Sequence, residues 1–290
     1  MNEFNYPLAF ERNLGWLNEE DQLRLKGSCV AIAGVGGVGG FQAQALARLG
    51  VGRFKIADPD IFEITNINRQ LGATTASLGR PKVQVIEEMI RAINPEAEVH
   101  SFPEAFTVKT ADAFLEGANL VIDGIDYFAM EDKLFLYKKS YEMGIPALTS
   151  CPMGFGASVI IFSPRGMRFD QYFDLKEGMS LEEKMLAVTF GLSPTPLCLS
   201  YLSPKSIDLA DKRASSVVPG LMLAGAFTGT EAVKILAQKG KAHYCPHIYQ
   251  IDLMSQKVSK KFYPNGMRGP LIRLKKWAVI NVLKAQKRLK

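Results

Sequence analysis

The chain has 290 residues, 47% of them hydrophobic and 22% charged, enough for a sizeable core in one large domain or two small ones. No stretch approaches the roughly 20 apolar residues that span a bilayer, and the opening MNEFNYPLAFERN, with acids and no apolar run, does not read as a signal peptide. The four cysteines (Cys29, Cys151, Cys198, Cys245) form no C-x-x-C pair, so neither a disulfide framework nor a structural zinc is expected, which fits a cytoplasmic protein. The net charge of +6 is uneven: residues 1–252 carry 24 basic against 29 acidic side chains, residues 253–290 eleven basic and no acidic ones.

Two short helices are predicted within residues 1–28, the second from Asn18 to Lys26 with Asn18 as its cap. Cys29–Ala33 is a short apolar run that reads as a buried strand. Gly34, Gly36, Gly37 and Gly39 then make a G-x-G-G-x-G turn. Behind it, Val38, Phe41, Ala45, Leu46 and Leu49 fall on one helical face. Such a turn brings main chain close to a phosphate, and the helix N-terminus offers free N–H groups and a positive dipole end. Asp58, 24 residues after Gly34, closes the next strand (Arg53–Ala57), where a carboxylate can hold ribose hydroxyls. A merely tight strand-to-helix turn is the alternative.

Residues 57–82 are too rich in turn formers for a regular element. Pro81 then suits the first turn of a helix whose face is Val83, Ile86, Ile90 and Ile93, ended by Asn94-Pro95. A strand (Glu98–Phe102), a short helix capped by Thr110 with Gly117 past its end, a strand (Asn119–Asp123), a helix (Glu131–Met143) and a strand (Ile145–Ser150) follow. This β-α repetition predicts a doubly wound, Rossmann-like, mainly parallel sheet with its ligand at the carboxyl ends of the strands.

The C-terminal part changes pattern. Phe155–Phe162 reads as an antiparallel strand, residues 164–179 as irregular and aromatic, and Ser180 as the start of a helix with a capping box to Glu183. Residues 191–216, with three prolines, read as a long loop. Val217–Gln238 is a long helix expected to be deeply buried, and Ile248–Leu253 with Lys257–Tyr263 a hairpin. One domain (1–263) and a basic tail or helix (264–290) are expected.

Five pieces now stand on loops at one sheet edge: the glycine turn, Asp58-Pro59-Asp60, Thr65 to Gln70 (TNINRQ), Gly79 to Lys82 (GRPK) and Asp123 to Asp126 (DGID). Their order and spacing resemble the ThiF/MoeB/HesA family, the ubiquitin-activating-enzyme-like adenylyltransferases, over roughly residues 10–262. That resemblance implies an ATP- and Mg²⁺-dependent enzyme converting a carboxylate into an acyl-adenylate. It implies that Asp58 holds the ribose, that Arg69 and Lys82 neutralise phosphate charge, that Asn66 and Gln70 position the triphosphate and that Asp126 holds the metal. The glycine turn and Asp60 complete the nucleotide-binding set. Arg12 stands where the family places an arginine reaching into the partner subunit's site, which implies a homodimer. Asp123 reads instead as a structural acid at a strand end.

The departures from the family point away from a thioester step. There are no zinc-binding cysteine pairs, Ala214-Ser215-Ser216 replaces a nucleophilic cysteine, Tyr127 replaces an asparagine, and Cys198 reads better as an inert thiol than as a nucleophile. A protein or peptide C-terminus, or a modified tRNA base, remains open as the carboxylate. An NAD-dependent oxidoreductase and a non-catalytic nucleotide-fold module are the competing readings. His243, Cys245 and His247 suggest a turn rather than a metal site. The tail, Arg273 to Lys290, admits RNA, an anionic membrane surface, a protein partner, or packing on its own dimer.

Overall fold

The chain alternates short apolar strands with helices because each strand must be covered on both faces. The computed structural model describes residues 3–202, 207–208, 213–270, 272–275 and 277. It opens with α1 (Tyr6–Ala9), a 3-10 turn (Glu11–Asn13) and α2 (Glu19–Gly27). Asn18 caps α2 reciprocally, its Oδ1 accepting from the Asp21 N–H at 2.7 Å while the Asp21 carboxylate accepts from the Asn18 N–H at 2.9 Å.

The nucleotide-fold half consists of β1 (Cys29–Ala33), α3 (Gly37–Arg48), β2 (Arg53–Ala57), a 3-10 turn (Ile64–Asn66), α4 (Lys82–Ile93), β3 (Glu98–Phe102), α5 (Ala111–Leu115), β4 (Leu120–Asp123), α6 (Met130–Glu142) and β5 (Ala147–Met153). The chain continues through β6 (Gly156–Phe162), α7 (Phe169–Phe173), α8 (Leu181–Leu192), the two-residue strands β7 (Ile207–Asp208) and β8 (Arg213–Ala214), α9 (Val218–Leu236), β9 (His247–Asp252) and β10 (Lys257–Phe262).

Eight strands form one sheet in the order β10-β9-β6-β5-β4-β1-β2-β3. The block β5-β4-β1-β2-β3 is parallel, while β6, β9 and β10 are added antiparallel. The strand order reverses between β1 and β4, which opens a crevice at their carboxyl ends. Side chains alternate between two cores. Val30, Ile32, Phe54, Ile56, Leu120 and Ile122 face α3, α4 and α9. Ala31, Ala33, Ala57, Val121 and Ala147 face the layer that contains α5 to α8.

Two expectations are refined. Only one face of α9 is deeply buried, with Gly220, Leu221, Ala224, Gly225, Thr228, Gly229 and Ala232 along it, while Met222 is exposed on the other. The small residues serve close approach: a β-carbon on Gly225 would stand 3.0 Å from the Phe41 carbonyl oxygen of α3. The aromatic stretch after β6 contains α7, a helix of five residues, too short for periodicity to reveal. Its Phe169 stacks on Tyr137 with ring centroids 4.0 Å apart, and Tyr172 and Phe173 are fully buried beside Phe162.

The backbone is helical at residues 270, 272–275 and 277, and the remainder of the expected basic tail lies outside the described residues. Among the described residues no helix is long and apolar enough to cross a membrane.

The α3–α9 contact gives a direct test. Gly225→Ala gains up to about 1 kcal/mol of helix propensity, but the added carbon meets main chain that cannot rotate away, at a cost of about 1–3 kcal/mol. Gly229→Ala meets chiefly the Leu49 Cδ1 atom at 3.2 Å, which can move. Urea unfolding is expected to show Gly225→Ala destabilised and Gly229→Ala close to the parent.

Candidate nucleotide site

The turn after β1 is built from main chain packed on main chain. Gly34 has φ +85°, and a β-carbon there would collide with the carbonyl of Gly124 beyond β4. A β-carbon on Gly39 would collide with the Gly34 carbonyl. Gly36 and Gly37 do a different job, leaving space at the N-terminus of α3. A β-carbon on Gly36 would lie 3.2 Å from Gln70 Oε1 and 3.4 Å from Lys82 Nζ, and one on Gly37 would lie 3.0 Å from Leu221 of α9.

Asp58 is buried at the end of β2. Its Oδ2 accepts from the Val35 N–H inside the glycine turn at 2.9 Å, and its Oδ1 from the Asp60 N–H at 3.0 Å. Burial raises the Asp58 pKa, opposed by the nearby Lys82 charge and by those two hydrogen bonds. The carboxylate therefore fixes the turn, and its free lone pairs remain available to a hydroxyl.

Lys82 is the first residue of α4, only 6% exposed, and its Nζ pairs with Asp60 Oδ2 at 2.8 Å. The Asp60 side chain is 63% exposed, so the cation is buried and its partner is not. A lysine in a first helical turn opposes the helix dipole and favours an anion beside it. Gln70 is also buried, and its Oε1 has no hydrogen-bond partner. A half-turn of the terminal amide exchanges its two ends, so Gln70 can equally present an N–H donor towards Gly36. An unpartnered amide and a buried ammonium beside an open glycine cradle fit a polyphosphate.

The other predicted residues are arranged around this centre. Asn66 is consumed locally, its Oδ1 accepting from the Glu63 N–H at 3.0 Å, and so shapes the loop. Arg69 is half-buried, its Nη1 donating to the Thr65 carbonyl at 2.8 Å and to Asn68 Oδ1 at 3.0 Å, with further donors left over. Asp126 is exposed on the loop after β4, and its Oδ1 accepts from the Phe128 N–H at 2.8 Å. Arg12 is not brought to the glycine cradle of its own chain. It lines an open groove of about 660 Å³ with Trp16, Ala45, Leu49, Gly229 and Val233, alongside the C-terminal half of α3. Ala45 lies eight residues beyond Gly37, about 12 Å along the helix.

Asp123 belongs to the fold, as the strand-end reading expects. It is buried, and accepts from Lys133 Nζ at 2.7 Å, Tyr137 Oη at 3.0 Å and the Ile125 N–H at 3.1 Å. Burial raises the Cys198 thiol, the opposite of an activated nucleophile.

Sequence reading missed the residues that strap the 193–202 segment to β9 and the start of β6. Gln250 Nε2 donates to the Thr195 carbonyl at 3.2 Å, and Tyr201 Oη donates to Asp252 while accepting from the Phe155 N–H at 3.2 Å. Asn68 likewise reaches the Ser216 carbonyl at 3.1 Å, bringing the segment before α9 to the site. These partners lie 46 to 148 positions apart and leave no local pattern. Among the described residues, no group of three or more His, Cys, Asp or Glu could hold a metal ion.

The fold and the cradle define a nucleotide-binding α/β protein of the doubly wound type. Residues 10–266 match the model of the ThiF family, and the chain belongs to that family. It is 42% identical over 142 residues to the tRNA threonylcarbamoyladenosine dehydratase of Bacillus subtilis (strain 168), covering 49% of this chain and 55% of that protein. It is 29% identical over 145 residues to the sulfur carrier protein ThiS adenylyltransferase of Escherichia coli (strain K12), covering 50% and 57%. The chain thus spans about half the length of these relatives. Its fold matches the crystal structure of E. coli MccB with ATP at a TM-score of 0.67, over 93% of this chain and 73% of that one, at 19% identity.

The Asp123 assignment predicts a stability effect. Lys133→Met leaves a buried, unpaired carboxylate, which costs about 3–5 kcal/mol. Urea denaturation is expected to register that loss, whereas Lys55→Met, at a half-buried lysine bonded only to main-chain carbonyls, should cost far less.

Proposed function

We propose that the protein is an ATP-dependent adenylyltransferase that activates a carboxylate as an acyl-adenylate, releasing pyrophosphate. The observation that carries this reading is Lys82, a buried ammonium placed at the glycine cradle with an exposed carboxylate as its only ion-pair partner among the described residues. Bringing a carboxylate to a polyphosphate joins two anions, and fixed cations are what that encounter requires. Lys82 and the spare donors of Arg69 supply them. The N–H groups at the start of α3 add donors, and the glycines admit the phosphates to those donors.

In this reading Asp58 orients the ribose, and Gln70 turns its free amide end to the phosphates. Asn66 and Asp60 hold the loops in place. Asp126 holds Mg²⁺, a hard cation that takes one or two carboxylates and keeps its remaining ligands as water and phosphate oxygen. Bound Mg²⁺ supplies charge neutralisation between the phosphates. Hydride transfer to a nicotinamide has no use for a buried lysine at the phosphates, and a non-catalytic module has none for Asp126.

The substrate's carboxylate belongs to a peptide or protein C-terminus or to a modified tRNA base. The similarity to a tRNA-modifying dehydratase supports the second. The raised Cys198 thiol supports a reaction that ends at the adenylate, without a cysteine step. The protein works as a homodimer in the cytoplasm, with Arg12 acting across the interface, since the groove that holds it is remote from its own cradle.

Lys82→Ala and Asp126→Ala are expected to lower substrate-dependent ATP–pyrophosphate exchange by about 10²–10³-fold, with Asp126→Ala leaving the unfolding midpoint near that of the parent. Asp126 and Asp60 are exposed, whereas the buried Asp58 loses in Lys82→Ala the positive charge that opposes its raised pKa, so that variant is also expected to lower the midpoint. Co-expressing Arg12→Ala with Lys82→Ala should restore exchange, since the mixed dimer contains one intact site. Failure of the mixture to recover would place Arg12 outside the partner's site.

A further inference from the structure

The edge of the sheet opposite β3 carries a concentration of positive charge that the nucleotide site does not use. From residue 239 to 275 the sequence holds eight Lys and Arg and a single acid, Asp252, which is buried. Lys257, Lys260 and Lys261 of β10 are exposed, as is Lys241, and none of the four makes an ion pair among the described residues. β10 pairs only with β9 among those residues, so half of its main-chain groups face outward.

Aromatic surface is interleaved with these cations. The exposed ring of Phe262 lies against His247 with centroids 4.6 Å apart, and His247 meets His243 edge-on at 5.2 Å. Lys260 Nζ is 3.4 Å from His243 Nε2. Burial, Lys260, His247, Lys241 and Lys234 together hold the His243 pKa below its ordinary value, as expected where cations crowd with too little negative charge between them.

We infer that β10 and the His243–His247 turn form a binding track for a single-stranded segment of RNA, its phosphates on Lys241, Lys257, Lys260 and Lys261 and one unstacked base on the Phe262–His247 platform. A six-residue strand is about 20 Å long, which spans several nucleotides. Its alternation puts Lys260 on the Phe262–His247 face and Lys257 and Lys261 on the other, so a single strand running along the free edge meets cations on both sides and the aromatic pair on one. An anionic membrane would be met instead by apolar anchors inserted below a basic face. Here Val258 and Phe262 are separated along β10 by Ser259, Lys260 and Lys261, and the exposed Leu253–Met254 pair lies at the β9–β10 turn, away from the Phe262 end. Lysines also protect a free sheet edge from pairing with another strand, but any charge serves that purpose, so reversing the sign separates the two roles. The inference rests on the proposed adenylation only for what the RNA is held for.

The test uses the full chain without ATP, a short fluorescein-labelled single-stranded RNA read by anisotropy, and unlabelled tRNA as competitor. The parent is expected to bind with an affinity that falls steeply with salt. The K257E/K260E/K261E variant keeps a charged edge yet should bind at least tenfold more weakly. Its plot of log affinity against log salt should be shallower by about 2, at about 0.7 for each phosphate no longer neutralised. Phe262→Ala should weaken binding about tenfold at an unchanged salt slope. Basic residues beyond 277 are common to all these proteins and cancel in the comparison. Equal binding by parent and triple variant would overturn the proposal, as would binding to phosphatidylglycerol vesicles but not to RNA, or binding to neither. ATP–pyrophosphate exchange with a carboxylate substrate, measured on the same samples, separates this from the nucleotide site. Exchange with no RNA binding sinks the track alone, and RNA binding with no exchange sinks the adenylation reading alone.

Discussion

Three glycines with no room for a β-carbon hold the carboxyl edge of the sheet together. The Gly34 carbonyl occupies the space where a side chain would begin on both Gly39 and Gly124, so the end of β1, the start of α3 and the end of β4 meet through main chain alone. This contact lies at the reversal of strand order, where the connections leave to opposite sides and a crevice must open. Asp58 then links the turn to β2 by accepting the Val35 N–H. A larger residue at any of these positions would push the glycine turn and the Asp126 loop apart, so the proposed site depends on a packing constraint before it depends on charge.

Two lysine–carboxylate pairs near that edge show how burial sorts structural from functional charge. In Lys133–Asp123 both partners are buried and Tyr137 adds a further hydrogen bond, so the carboxylate has little left to offer a ligand. In Lys82–Asp60 the two partners are at 2.8 Å but only the lysine is buried. An exposed carboxylate can be displaced into water at the small cost typical of surface ion pairs, on the order of 0–1 kcal/mol. The ammonium has no such escape and must keep an anionic partner, which a phosphate oxygen can become. Similar distances thus mark a finished interaction in one case and an exchangeable one in the other.

Much of this was legible because the relevant information is local. β1 begins and ends where its apolar run does, β2 and β3 where polar and apolar residues alternate, and Asn18, Pro81 and Ser180 mark helix starts through short-range backbone chemistry. The gathering of Gly36, Gln70 and Lys82 is also implied by order and spacing, since each ends a segment at the same sheet edge. What stayed hidden depends on partners distant in sequence. The bond from the Glu63 N–H to Asn66 Oδ1 that braces the loop is not announced by the motif, and nothing near Gln250 or Tyr201 announces that they strap the segment after α8. The burial of α9 was overestimated because small residues signal close approach on one face only, and composition cannot say which.

The strand pair β9–β10 joins these two kinds of information. At one end, Asp252 closes β9, accepts the Tyr201 hydroxyl and the Ser255 N–H, and so fixes the strap at the carboxyl edge where the nucleotide cradle lies. At the other end, His247 opens β9 against Phe262, within the crowd of unpaired lysines. Antiparallel pairing keeps the hairpin rigid over this length, so a polymer lying along β10 would be oriented relative to the catalytic edge without touching it. Charge supplies attraction and little specificity along such a track. The strap is of the other kind, held in place by the Thr195–Gln250 and Phe155–Tyr201 hydrogen bonds and carrying no such run of charge.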